Sequence, residues 1–136
     1  MSYNKEYLYK NIVGAKQYLD KSFNEEINID ILAKQANISK FHFIRLFKLI
    51  YKITPHQYLT VKRIKMAKRE LEKPNQSVSD VCHKVGFNSV SSFCNLFKKT
   101  TNQTPLEYRS SIMELKESQM NTPLNNIPGC YALMHQ

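Results

Sequence analysis

Arg45, His42 and Lys40 fall in the stretch SKFHFIRLFK, Ser39 to Lys48. Fifty residues later Asn95, Ser91 and Ser92 fall in SVSSFCNLFK, Ser89 to Lys98. These side chains make no nucleophile–base pair and no metal-ligand set with their neighbours. What they share is directional hydrogen bonding: a guanidinium offers a planar fork of donors, an amide a donor beside an acceptor, a hydroxyl either role. Arg45 matches the O6 and N7 acceptors of guanine, Asn95 the edge of adenine, and Ser91 and Ser92 either kind of base edge. Phe41 is a large apolar residue on a face that core packing does not require, and suits a thymine methyl; its alternative is packing against the first helix of the chain. Ile44 and Val90 complete the set that the two stretches display.

Around them lies positive charge. The 136-residue chain has a formal net charge of +9. Residues 1–38 are neutral, whereas residues 39–109 hold fourteen Lys or Arg against four acids, net +10. Confinement of the excess to the segment with the two stretches points to a polyanion. Lys48 and Lys98 recur one turn beyond the base-reading positions and are assigned to phosphate, together with Lys62, Arg63 and Lys99; the alternative for each is a solvated charge. Backbone N–H groups at the helix starts near Ser39, Ser89, Thr54 and Thr104 add anion contacts.

Other chemistries find no residues to carry them. There is no GxxxxGK, HExxH, GxSxG or DFG and no acid pair at useful spacing, so no enzyme is expected. Glu25 and Glu26 read as exposed loop residues. Cys82, Cys94 and Cys130 make no CxxC pair, and the four His form no cluster, so neither a metal nor a cofactor is expected. Cys82 and Cys94 fall on apolar helix faces and read as buried thiols. Neither a signal peptide nor a membrane span is read, which suits a cytoplasmic setting.

The elements that must hold these residues repeat. Residues 39–58 on 89–108 give eight identities in twenty positions, among them Phe43/Phe93, Leu46/Leu96, Phe47/Phe97 and Pro55/Pro105. Upstream the offset is 49, pairing Ile29 with Val78, Leu32 with Val81 and Asn37 with Gly86. Each copy reads as a short capped helix (Asn28 or Ser77), a tight turn at Asn37 or Gly86, a hydrophobe, and a second helix capped by Ser39 or Ser89. That is the sequence form of a helix-turn-helix. Phe43, Leu46 and Phe47 share one face at i, i+3, i+4, so the recurring residues hold the helix and the variable ones are what it shows. TPHQ at 54–57 and TPLE at 104–107 each start a further helix with a Thr cap, Pro at the first position and a capping box. The first runs to about LEKP, with an apolar stripe expected at Tyr58, Val61, Ile64 or Lys65, Ala67 and Leu71. Its roughly 17 residues span about 26 Å, against about 34 Å between successive major grooves on one face of DNA. Tyr7 to Leu19 reads as an opening helix with Leu8, Ile12, Ala15 and Leu19 inward. After Ile112 the pattern decays into a tail.

With these motifs in place, the chain resembles the DNA-binding domain of the AraC/XylS family of bacterial transcription regulators, over roughly residues 5–112. The most specific parts are SKFHFIRLFK with ITPHQYL, and VCHKVGFNSVSSFCNLFKKTTNQTPLEYR. The resemblance implies a short, one-domain member that binds an asymmetric double-stranded DNA site as a monomer and activates promoters through RNA polymerase. The family often has Gly near Lys52 and Asn102, and often Arg at Asn95. A methyl-acceptor cysteine, as in some related DNA-repair regulators, would need a four-cysteine zinc site, which three scattered cysteines cannot form.

The expected architecture is all-α, about seven helices. An N-terminal helix and first helix-turn-helix subdomain occupy 1–53, a linker helix 54–73, a second helix-turn-helix subdomain 74–112 and a tail 113–136. The expected function is sequence-specific binding of double-stranded DNA, with helices at about 39–51 and 89–100 in adjacent major grooves. Within it, the first helix is expected to give most of the discrimination and the second mostly affinity. The competing reading is a protein-interaction module that has kept the fold without DNA.

Overall fold

A computed structural model describes residues 5–121. The described chain is all-helical: α1 (Lys5–Lys21), α2 (Ile29–Gln35), α3 (Lys40–Tyr51), α4 (Pro55–Leu71), α5 (Val78–Lys84), α6 (Val90–Thr101) and α7 (Pro105–Asn121). The starts follow from capping chemistry. Asn28, Ser39, Thr54, Ser77, Ser89 and Thr104 each accept a first-turn backbone N–H on their side-chain oxygen. At Thr54 the box is reciprocal, because the Gln57 side chain accepts the Thr54 N–H. Each such cap is worth about 1 kcal/mol to its helix.

The turns follow from backbone sterics. Asn37 and Gly86 have φ of 58° and 101°, where the chain must reverse between the two helices of each unit. Lys52 and Asn102, at φ 73° and 65°, end α3 and α6 in the left-handed conformation, each N–H closing on the carbonyl four residues back. The positions where the family often has Gly thus keep a glycine-like backbone with other side chains.

The described residues form two cores. Ile12, Ala15, Leu19, Ile29, Leu32, Ala33, Phe43, Phe47 and Leu59 form the first. Ile64, Ala67, Leu71, Val81, Cys82, Val85, Phe87, Phe93 and Phe97 form the second. Their aromatic geometry repeats: Phe47–Tyr58 and Phe97–Tyr108 both meet edge to face at 69°, with centroids 5.8 and 5.6 Å apart. Truncating a buried Phe of this kind costs about 3–5 kcal/mol.

α4 corrects the sequence expectation. A single stripe through Val61 is not what the helix buries; Val61 is 53% exposed, while Leu59 is buried. At 100° per residue, Pro55 and Leu59 lie on one side of the helix and Ile64, Ala67 and Leu71 on another. Leu59 belongs to the first core and the trio to the second, so no single 3.6-residue stripe can describe the helix.

The duplication also reaches further than the two stretches. At an offset of 52, Ile12, Ala15 and Leu19 of α1 pair with Ile64, Ala67 and Leu71 of α4, and Asp20 pairs with Glu72. α1 packs on α4 as α4 packs on α7. The Tyr58 hydroxyl donates to Asp20; in the matching place Tyr108 lies near Glu72, and burial first, then that carboxylate, raise its pKa. α4 therefore closes the first unit with its first turns and opens the second with the remainder. α7 runs past Ile112 to Asn121, so the helical part of the chain extends beyond the boundary read at 112. The tail reading for 122–136, with Cys130, lies outside the described residues.

Candidate nucleic-acid interface

α3 and α6 present matched surfaces. The rings of Phe43 and Phe47, and of Phe93 and Phe97, are fully buried and fix each helix on its core. At 100° per residue, the exposed side of α3 carries Phe41, Arg45, Lys48 and Leu49. The same positions of α6 carry Ser91, Asn95, Lys98 and Lys99, all exposed. Phe41 is 75% exposed, so it does not pack against α1. Lys40 and Ser92 are exposed at the helix starts, Val90 is 37% exposed and His42 is half-buried.

Three of the expected residues are set into the fold more deeply than the rest. Ile44 is packed partly against the first core, at the place in the frame where α6 has the half-buried Cys94, and belongs to the framework rather than the displayed set. Arg63 turns two of its donors into the fold. Its Nε donates to the Phe23 carbonyl at 2.7 Å and an Nη to the Glu25 carbonyl at 2.9 Å, and burial lowers its pKa. Lys62 leans inward, its Nζ 3.9 Å from Asp20. Leu49, 68% exposed and four residues after Arg45, joins the displayed set, which sequence reasoning missed; its i+4 spacing from Arg45 is the signal that finds it. Cys82 is buried, and burial pushes its thiol pKa up, so it stays protonated.

The groups expected to meet anions stand at the helix ends. The Ser39 and Ser89 hydroxyls accept the His42 and Ser92 N–H groups at 3.1 and 3.3 Å, and both residues are exposed. Thr54 and Thr104 are half-buried and cap α4 and α7. An open groove of about 690 Å³ runs beside the start of α3, lined by Asn28, Asp30, Lys40, Ile44, Thr54 and His56. Among the described residues no group of three or more His, Cys, Asp or Glu could hold a metal ion, and no helix is long and apolar enough to cross a membrane.

Two helix-turn-helix units, joined by a shared helix and each projecting a capped helix with an exposed, partly cationic face, define the class: a double helix-turn-helix regulator domain. A family profile described as a helix-turn-helix domain matches residues 32–111, and the chain belongs to the AraC/XylS family of helix-turn-helix transcription regulators. It is 37% identical over 93 residues to the bifunctional transcriptional activator/DNA repair enzyme AdaA of Bacillus subtilis, covering 68% of this chain and 44% of that protein. It is 27% identical over 93 residues to the regulatory protein SoxS of Salmonella typhimurium, covering 68% of this chain and 87% of that protein. The DNA-binding domain of AdpA, solved in complex with a target DNA, superposes with a TM-score of 0.64 at 28% identity, over 76% of this chain and 90% of that one. The chain spans about half the length of the first curated relatives it matches, 44% and 58%.

Proposed function

We propose that this chain binds a specific double-stranded DNA site as a monomer, with α3 and α6 in successive major grooves on one face of the duplex. The observation that carries the reading is the pair of matched helix faces, held by the same buried phenylalanines and lettered differently, inside the segment of net charge +10. The AdpA domain seen on its target DNA supports it. On α3, Arg45 reads guanine, Phe41 and Leu49 meet thymine methyls, and Lys40 and His42 flank them. On α6, Asn95 reads adenine while Ser91, Ser92 and Val90 contact neighbouring edges. Lys48, Lys98 and Lys99, with the Ser39, Ser89, Thr54 and Thr104 helix starts, hold phosphates.

Activation of transcription, with a contact to RNA polymerase, is the regulatory role that suits the chain, since AdaA is named an activator. The chain works without catalysis of its own, and in the cytoplasm, where promoters are. The test is selection of bound sequences from a random DNA pool, followed by footprinting. Two different half-motifs about 10 bp apart are expected, with protection in two adjacent major grooves. Protection of one groove only overturns the two-groove reading, and no retardation of any duplex at low salt overturns DNA binding in favour of a protein-interaction module.

A further inference from the structure

We infer that Arg63, clasped between the two units beside Gly86, fixes the relative placement of α3 and α6 and thereby the spacing of half-motifs that the chain accepts. This rests on the reading above that both helices enter DNA. Arg63 sits on α4, but its donors reach the connection between α1 and α2 in the first unit, at the carbonyls of Phe23 and Glu25. Its guanidinium carbon also lies 5.7 Å from the centroid of the Phe87 ring, the hydrophobe after the second unit's turn. One side chain thus touches both units. Phe23 does the same with its ring, packing against both cores.

The second unit's turn presses on this clasp. A Cβ on Gly86 would lie 2.9 Å from Arg63 Nε, 2.9 Å from the Phe23 carbonyl oxygen and 3.0 Å from Asn24 Cα. In the first unit the equivalent turn residue is Asn37, exposed and with φ of 58°. The two copies need the same reversal, yet only the second must also be bare on that side. Beside the clasp the units part, leaving a cleft of about 270 Å³ lined by Asn24, Ile27, His56, His83 and Asn88. The shared helix sets how far apart the units stand; a narrow contact off its axis is what resists rotation about it.

On DNA the rotation matters. One added base pair moves a half-motif by about 3.4 Å and turns it by roughly 35° about the duplex axis. A rigid pair of helices cannot follow, and the gain from linking two sites is lost where geometry forbids simultaneous engagement. Arg63→Met keeps the stem against Phe87 and removes the donors; Arg63→Lys keeps the charge but reaches one carbonyl in place of two.

The test uses duplexes carrying the selected half-motifs at the preferred spacing and at −1, +1 and +2 bp, and a duplex with one half-motif. Wild-type affinity is expected to fall about tenfold or more at each wrong spacing. Arg63→Met is expected to fall less than about threefold, with single half-motif affinity and salt dependence unchanged. An unchanged spacing profile in the variant overturns the inference. So does an unchanged profile with a salt slope lower by about 0.9, the mark of a phosphate ligand removed. Residual dipolar couplings of the free protein read the same clasp without DNA. One alignment tensor should fit both units of the wild type, and two should be needed for Arg63→Met; one tensor for both proteins overturns the inference even if no duplex is bound. If Arg63→Met loses its helical circular dichroism, Arg63→Lys takes its place in both measurements.

Discussion

At the scale of single residues, the displayed set divides by chemistry. Arg45 is exposed, sits amid the outward face of α3, and carries the fork that matches guanine. Arg45→Ala is expected to cost about 1–3 kcal/mol on the selected site and almost nothing on random duplex, measured by competitive retardation at fixed salt. Equal losses on both would make it a phosphate ligand. Lys52 tests the backbone instead. A non-glycine residue in the left-handed region costs about 1–2 kcal/mol, and glycine offsets part of its own advantage there through unfolded-state entropy. Lys52→Gly should therefore raise the denaturant midpoint by the equivalent of about 0.5–1 kcal/mol. Asn102→Gly should gain less, because Asn tolerates that conformation. Arg45 was legible because its neighbours at i−2 and i+2, Phe43 and Phe47, announce the buried side. Arg63 was not: it is as basic as Arg45, and only the fold brings the Phe23 and Glu25 carbonyls, some forty residues upstream, to its donors.

At the scale of elements, what the sequence shows well is local and what it hides is shared. The caps, the Asn37 and Gly86 turns and the Phe-x3-Phe frames are short-range patterns, and the structure has each of them. α4 hides its role because one helix feeds two cores from different sides. Its C-terminal end is held by Glu70, which is buried on a helix otherwise rich in Lys and Arg. The Glu70 carboxylate accepts Gln76 Nε2 at 2.8 Å, Lys84 Nζ at 3.0 Å and Lys73 Nζ at 3.1 Å, tying α4 to the following loop and α5. The Gln76 and Lys84 hydrogen bonds bring its pKa down from 4.5 to about 2. A folded-state pKa below the unfolded one means the unfolded chain binds the extra proton. The stabilisation is then full above about pH 4.5 and is lost as pH falls towards 2. Thermal midpoints of wild type and Glu70→Gln should differ most near pH 6 and converge near pH 2. A constant gap across that range would show that the loss is one of packing rather than of charge.

At the scale of the whole molecule, charge and duplication answer different questions. The duplication supplies two equal mounts; the lettering makes them unequal. α3 shows Phe41, Arg45 and Leu49 where α6 shows Ser91, Asn95 and Lys99, so at these positions the apolar and forked side chains lie on the first helix and only polar ones on the second. The second helix ends its exposed face in two adjacent lysines, Lys98 and Lys99, against one on the first, Lys48. We propose from that asymmetry a division of labour, with discrimination weighted to α3 and sequence-independent grip to α6. Removing one phosphate-binding lysine should reduce the slope of log K against log salt by about 0.9, because binding then releases one counterion fewer. Lys98→Ala with Lys99→Ala should thus lower the slope by about 2 on cognate and random DNA alike, leaving the ratio of the two affinities nearly unchanged. Arg45→Ala should do the reverse, collapsing that ratio with less effect on the slope. A double lysine variant that alters the selected sequence while keeping its salt slope would assign base reading to the end of α6 and dissolve the division.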